Sequence, residues 1–208
     1  MGFRLSVLAL PGEWSIERLV RLRVCGPRRL GDVDLDDAFY PADQPSVVNV
    51  RGYTCVFWFG FYERFVQGKE DPALEERLLE AIGPERAYYF ALVSTVNLYA
   101  AMAWQGGRCT RRLMGWSDEL NFDDGAPLPE ESVERQRFRV EVVDGLPRFT
   151  DNASGDVYTH DQVGESFVLA AAAAVFGAPL DHGDGLAALP PVLPSYETWA
   201  EHSARSPA

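Results

Sequence analysis

The stretch Ser94–Leu113, STVNLYAAMAWQGGRCTRRL, decides which fold the sequence predicts. From Ser94 to Trp104 the even positions from 96 onward are apolar, and positions 95, 97 and 99 are more polar. This alternation is typical of a strand with one buried face. Gly106-Gly107 can adopt the positive φ angles of a two-residue turn, after which Arg108–Met114 returns. The stretch therefore predicts a β-hairpin that contains the central strand of the protein.

Outside this hairpin a helix is predicted from about Ser15 to Val24, and two further helices have clearer signals. The segment 71–84, DPALEERLLEAIGP, has an apolar stripe at helical spacing and ends in a Gly-Pro pair. A second helix is predicted over residues 159–177, where Thr159 and Gln162 have the spacing of a capping box. Residues 167–176 are all apolar, so we expect this alanine-rich helix to be buried against the sheet.

Together these elements predict an α+β fold. Arg51-Gly52 and Asp144-Gly145 lie between strand-like runs and predict two further hairpins. We expect residues 1–178 to form a single domain with a mainly antiparallel sheet of about six to eight strands and about three helices, one of them the buried alanine-rich C-terminal helix. Residues 179–208 contain several prolines, which predict an extended tail.

The charge of the chain is unevenly distributed. The 208 residues carry a net charge of -12, but the first thirty carry a net +4, so the remainder sums to -16. Binding to a nucleic-acid backbone needs a clustered cationic face, so we expect no nucleic-acid partner. Arg18 and Arg21 share a face of a predicted helix, which could bind an anion or simply be solvated.

The cysteines and the apolar runs indicate a compartment. Cys25, Cys55 and Cys109 are scattered and include no CxxC pair, which favours a reducing cytoplasm over a disulfide framework. No apolar run reaches the roughly 18 residues that a membrane span needs. We therefore expect a cytoplasmic protein without membrane association, and the sequence leaves its oligomeric state open.

One acidic segment has part of the spacing of a calcium loop. Asp32, Asp34 and Asp36 occupy the first, third and fifth positions, and Asp43 occupies the twelfth. The sixth position is Asp37, where such loops need glycine, and the twelfth should be glutamate. The pattern predicts solvation and helix capping rather than a metal site, although it leaves cation binding by these aspartates open.

Sequence motifs for catalysis are missing. The chain contains no GxSxG elbow, no phosphate-binding GxxxxGK[ST] loop and no GxGxxG. His160 stands among turn residues without a second histidine at metal-ligand spacing. We therefore predict no catalytic residues, no metal site and no cofactor. The absence of these motifs favours a protein that is not an enzyme. Because catalytic groups are recognised by their geometry and not by sequence position, the sequence leaves an enzymatic function open.

Two segments resemble a family of uncharacterised, largely actinobacterial proteins. They are S-x-V-N-x-Y-A-x-x-x-W-x-x-G-R-x-x-R over Ser94–Arg111 and G-x-P-L-P-E-E over Gly125–Glu131. The resemblance extends over roughly residues 35–178 and implies no activity. In that family a histidine often precedes the serine and an aspartate follows it three residues later. Here these positions are Val93 and Asn97, so the resemblance implies that the hairpin serves as a scaffold.

Two hypotheses for function follow. The first is macromolecular binding, as in an immunity or antitoxin protein, in which an acidic loop covers a basic protein partner. Its candidate residues are Asp118, Glu119, Asp123 and Asp124. The alternative is an enzyme or small-ligand-binding protein that uses the polar face of the central hairpin, with Asn97, Tyr99 and Arg111 as candidates.

Overall fold

The structure, a computed structural model, describes residues 4–39, 43–67, 71, 73–116, 119–180, 187 and 189–205. The first half of the chain forms β1 (Arg4–Pro11), α1 (Ile16–Leu22), β2 (Arg29–Asp34), α2 (Leu35–Phe39), β3 (Ser46–Val50), β4 (Tyr53–Phe57), a π-helical turn (Tyr62–Val66), α3 (Leu74–Ile82) and β5 (Arg86–Val93). The second half forms a 3₁₀ turn (Ser94–Val96), β6 (Leu98–Gln105), β7 (Arg108–Trp116), β8 (Glu119–Gly125), α4 (Pro129–Arg135), β9 (Phe138–Val143), β10 (Leu146–Asp151), β11 (Val157–Thr159), α5 (His160–Phe176), β12 (Val192–Tyr196) and α6 (Trp199–Arg205).

These strands form two antiparallel sheets. The larger has nine strands in the order β2-β12-β3-β4-β1-β5-β6-β7-β8, and the smaller has the order β11-β10-β9. The α+β class and the antiparallel sheet are confirmed. The numbers of elements were predicted too low, because the described residues contain twelve strands rather than six to eight, and more than three helices.

The three predicted hairpin turns are confirmed. Each has two central residues with positive φ, namely Arg51-Gly52, Gly106-Gly107 and Asp144-Gly145. Two positive φ angles give a turn whose twist matches that of the strands on either side. The turn at Gly106-Gly107 joins β6 to β7, with Gln105 opposite Arg108.

The start of the central strand was predicted wrongly. Residues 94–97 do not continue the preceding strand but reverse the chain through the 3₁₀ turn, so that Val93 pairs with Leu98 across the β5–β6 hairpin. Asn97 ends this turn in the left-handed conformation, at φ 48°. Val96, predicted on the apolar face, is therefore half exposed. A short-range alternation of apolar and polar residues cannot distinguish this turn from a strand.

Strand β6 is buried on both faces, whereas one polar face was predicted. Leu98, Met102 and Trp104 pack on one side with α1, α3 and the π-helical turn. Tyr99 and Ala101 pack on the other side with α5 and the small sheet. The alanine-rich α5 supplies most of that cover, which confirms its predicted burial. It is capped through the Thr159 amide, which donates to Gln162 Oε1 at 2.9 Å.

The proline-containing segment after residue 178 contributes to the main sheet. Strand β12 lies between β2 and β3, with Pro194 opposite Asp32 and Ser195 opposite Ser46. Proline favours the extended backbone of a strand, and β12 makes only one paired position with β3. The predicted extended tail thus includes a strand within the sheet, followed by α6. The division of domains at residue 178 stays a prediction.

Candidate functional site

The acidic segment predicted as a loop forms the edge strand of the large sheet and the helix that follows. Strand β8 is hydrogen-bonded to β7, with Asp123 opposite Leu113 and Asp124 opposite Arg112. No other described strand lies beyond it. Asp118 lies outside the described residues, and Glu119 is described only as the first residue of β8. Of the four candidate residues, the structure therefore places the side chains of Asp123 and Asp124.

Asp123 belongs to an internal charge network with Arg111, Glu131 and Arg135, which we call the α4 ion network. Arg111 is 1% exposed and donates through Nε and Nη2 to the two carboxylate oxygens of Glu131, at 2.9 and 2.6 Å. Arg111 Nη2 also lies 2.7 Å from Asp123 Oδ1. Arg135 donates to Glu131 at 2.7 Å and to both oxygens of Asp123 at 3.1 Å. Two cations and two anions therefore compensate one another.

The α4 ion network fixes a helix and an edge strand to the sheet. Glu131 is fully buried and also accepts the Leu128 amide at the start of α4. Arg111 Nη1 donates to the main-chain oxygen of Asp124 at 2.9 Å. Burial alone would lower the pKa of Arg111, but the hydrogen bonds and charges of Glu131 and Asp123 outweigh it and raise that pKa. Arg111 therefore stays charged and acts as a structural anchor between β7, β8 and α4.

Tyr99 lies inside the protein beneath α5. Its hydroxyl is 3.2 Å from His160 Nδ1, and both residues are buried. Glycines at positions 115 and 164 make room for its ring, because a Cβ at either position would lie 2.2–2.3 Å from it. Burial raises the pKa of Tyr99 above its usual range. The remaining space of about 10 Å³ beside the ring holds nothing larger than a water molecule.

Asn97 is separated from this interior. It donates through Nδ2 to Asp161 Oδ2 at 3.2 Å on the exposed side of the first turn of α5. The neighbouring Ser94 donates to Glu165 Oε1 at 3.1 Å. The structure therefore places Asn97, Tyr99 and Arg111 in three different environments and not around one open cavity. Their role in ligand binding stays a prediction.

The aspartates with calcium-loop spacing lie on regular structure. Asp32 and Asp34 belong to the edge strand β2, and Asp36 lies in the first turn of α2. Asp32 is paired with Arg29. An extended strand cannot wrap around an ion as a calcium loop does. Within the described part of the chain, no group of three or more histidine, cysteine or acidic side chains is placed to hold a metal.

Sequence reasoning missed Glu131 as the central residue of the ion network. A signal for it was present, because Pro129 followed by two glutamates is typical of the first turn of a helix. A glutamate at the third helical position is placed to accept the amide at the helix start. Its pairing with Arg111 depends on the position of α4 beneath the sheet, which no local pattern predicts.

Comparison of the chain with protein-family models, with curated proteins and with solved structures finds no match. The resemblance to an uncharacterised actinobacterial family therefore stays a prediction. In the described part of the chain, no helix combines the length and the apolarity needed to cross a membrane.

Proposed function

We propose that the protein binds a basic protein partner through strand β8, in a role such as that of an immunity or antitoxin protein. The observation that carries this proposal is that the acidic segment forms one of the two edge strands of a nine-stranded sheet. An edge strand offers main-chain donors and acceptors to which an extended segment of another protein can pair. Residues 121–127 are all exposed.

The side chains of β8 support a partner that is both basic and partly apolar. Phe122 is 40% exposed and Trp116, at the end of β7, is 45% exposed. Asp124 lies beside an open pocket of about 230 Å³, which is lined by Cys109, Arg112 and four further residues. Exposed aromatic side chains are typical of protein interfaces. Because Arg111 and Arg112 also line this pocket, a cationic side chain of the partner would meet Asp124 on the exposed part of β8.

The same charges disfavour pairing of two copies of this chain through β8. In a symmetric pairing the acidic residues of one copy would lie close to those of the other, and like charges opposite one another destabilise a sheet. A chain with a net charge of -12 also repels its own copies at a distance. The edge therefore favours a different protein that is rich in lysine and arginine.

Affinity capture from the native host at low salt tests the proposal. The variants are Asp124→Lys on β8 and, as a matched control, Glu141→Lys on β9, which is an edge strand of the small sheet. Both reverse one exposed acidic charge. We expect the wild type and Glu141→Lys to recover the same basic protein, with release as the salt concentration rises. Asp124→Lys should reduce capture about tenfold or more. The introduced lysine would face a cationic side chain of the partner, and two like charges at an interface repel each other strongly.

The control outcomes separate binding from folding. Circular dichroism and thermal unfolding of the three proteins should agree, since Asp124 and Glu141 are exposed. Recovery of no basic protein by the wild type would contradict the proposal. Equal capture by Asp124→Lys and the wild type would contradict the assignment to β8.

A further inference from the structure

A cationic pocket lies between α1 and α3, away from β8. Its volume is about 350 Å³, within the range of roughly 300–1,000 Å³ found for small-molecule sites. Its lining residues are Trp14, Arg18, Arg21, Leu22, Arg77, Glu80 and Ala81. The sequence pairs Arg18 with Arg21 on one helix face, and the fold adds a third arginine from another helix.

The charge of this pocket is opposite to that of the protein. Three guanidinium groups line it with one carboxylate, that of Glu80. Asp71 compensates the charge of Arg77, which leaves Arg18 and Arg21 against Glu80, whereas the whole chain carries a net charge of -12. Charges of one sign in a concave site focus the field and raise the local concentration of an oppositely charged ligand. Such a site therefore favours a small anion that fits within about 350 Å³.

Two of the three arginines are held in position before any ligand binds. Arg77 is paired with Asp71 through both terminal nitrogens, and its Nε donates to the main-chain oxygen of Leu22 at 3.4 Å. These contacts use three of its five N–H donors and leave two. The guanidinium of Arg18 lies 3.9 Å from the centre of the Trp14 ring.

Trp14 is itself fixed at the base of the pocket. It is 6% exposed, its indole N–H donates to the Pro11 oxygen at 2.8 Å, and its amide donates to Thr54 Oγ1 at 2.8 Å. A cation that stacks on a fixed aromatic ring loses little further freedom when it binds an anion. The ring therefore acts as a support that aims Arg18 into the pocket.

We infer that the α1–α3 pocket binds a phosphate group of a small molecule. Planar guanidinium groups match the oxygens of phosphate with paired, charge-assisted hydrogen bonds, and several of them together suit a doubly charged anion. Inorganic phosphate and the phosphate of a nucleoside monophosphate share this chemistry. This inference concerns residues separate from β8 and does not depend on the proposed function.

Isothermal titration calorimetry with inorganic phosphate and, separately, with adenosine monophosphate tests the inference. The variant is the double change Arg18→Gln and Arg21→Gln, because both side chains are exposed and outside the core. Arg148→Gln, an exposed arginine on β10, is the control for loss of a positive charge elsewhere. Arg77 is left intact because it joins the two helices. Circular dichroism confirms that each variant is folded.

We expect saturable binding of at least one ligand, weakened at least tenfold by the double variant and by less than twofold in Arg148→Gln. Equal affinity for the two ligands identifies a site for phosphate alone, and at least tenfold tighter binding of adenosine monophosphate identifies a nucleotide site. Absence of binding of both ligands at 10 mM, which is roughly a hundredfold above a typical metabolite-site dissociation constant near 0.1 mM, would overturn the inference. Binding that the double variant leaves unchanged would overturn it as well.

Discussion

Removal of the Glu131 carboxylate tests the structural role of the α4 ion network most directly. In Glu131→Ala, Arg111 keeps Asp123 and the main-chain oxygen of Asp124 but loses both hydrogen bonds to the Glu131 carboxylate. The guanidinium is 1% exposed, so water cannot replace the lost oxygens. Removing one partner of a buried ion pair costs about 3–5 kcal/mol. We therefore expect the free energy of unfolding to fall by about that amount.

The assay is equilibrium unfolding in urea at neutral pH, followed by circular dichroism and by tryptophan fluorescence. The control is Glu134→Ala on the same helix, where the carboxylate pairs with the exposed Arg137. Arg137 is 58% exposed, so water can replace the lost carboxylate. A pair that is open to solvent contributes about 0–1 kcal/mol, and the control should unfold close to the wild type. The two variants lose the same side chain and differ in its burial.

The double change Arg111→Met with Glu131→Met distinguishes the interaction between the two charges from the free-energy cost of burying them. Without either charge the site becomes apolar, so the double variant should lose at least 1 kcal/mol less than the sum of the two single methionine variants. If Glu131→Ala costs less than about 1 kcal/mol, or if the two methionine changes are additive, the reasoning about the network is wrong. If Glu131→Ala does not fold, the methionine cycle still decides the question.

Three further predictions concern other buried groups. Gly164→Ala should destabilise the protein by about 1–3 kcal/mol in urea unfolding, although alanine favours helices, because its Cβ would lie 2.3 Å from the Tyr99 ring. The amides of Ala153 and Ser154 lower the pKa of Asp151, so its contribution to stability is present above the ordinary aspartate value and is lost as the pH falls through the lowered pKa. The stability difference between wild type and Asp151→Asn should therefore shrink from pH 7 to pH 3. Burial raises the pKa of Cys25 to about 12, so a thiol reagent at pH 8 should modify the half-buried Cys109 first, whereas equal rates for the two would contradict this.

The sequence was sufficient to predict the elements whose determinants are local. The turn Gly106-Gly107 needs positive φ angles that glycine adopts freely, and Arg51-Gly52 and Asp144-Gly145 follow the same preference. The start and end of α5 depend on Thr159 and Gly177, which lie next to the residues that they cap. Such features need no knowledge of the remaining chain.

The features that the sequence did not predict lack a decisive local signal. Strand β12 is ordered because it pairs with β2, which lies about 160 residues earlier in the chain, and its prolines indicate an extended backbone whether or not a partner is present. The reversal at Ser94–Asn97 requires Asn97 in a left-handed conformation, which asparagine adopts more readily than most residues but does not impose. The α4 ion network could not be predicted from the sequence either, because Arg111 contacts Glu131 only where α4 packs on the sheet.

Some acidic residues of β8 and α4 are paired inside the protein and others are exposed. This difference determines which substitutions can test binding of a partner. Arg111 and Arg135 neutralise Asp123 and Glu131 inside the α4 ion network, so these carboxylates are not available to a partner without breaking it. Asp124 contributes its main-chain oxygen to Arg111, while its side chain belongs to the exposed part of β8. A change at Asp123 therefore alters stability and surface charge together, whereas a change at Asp124 alters the surface charge of the edge strand and keeps the main-chain contact. If only Asp123 variants lose partner capture, local unfolding of the edge strand explains the loss. If Asp124 variants lose partner capture while their stability is unchanged, the loss supports recognition by β8.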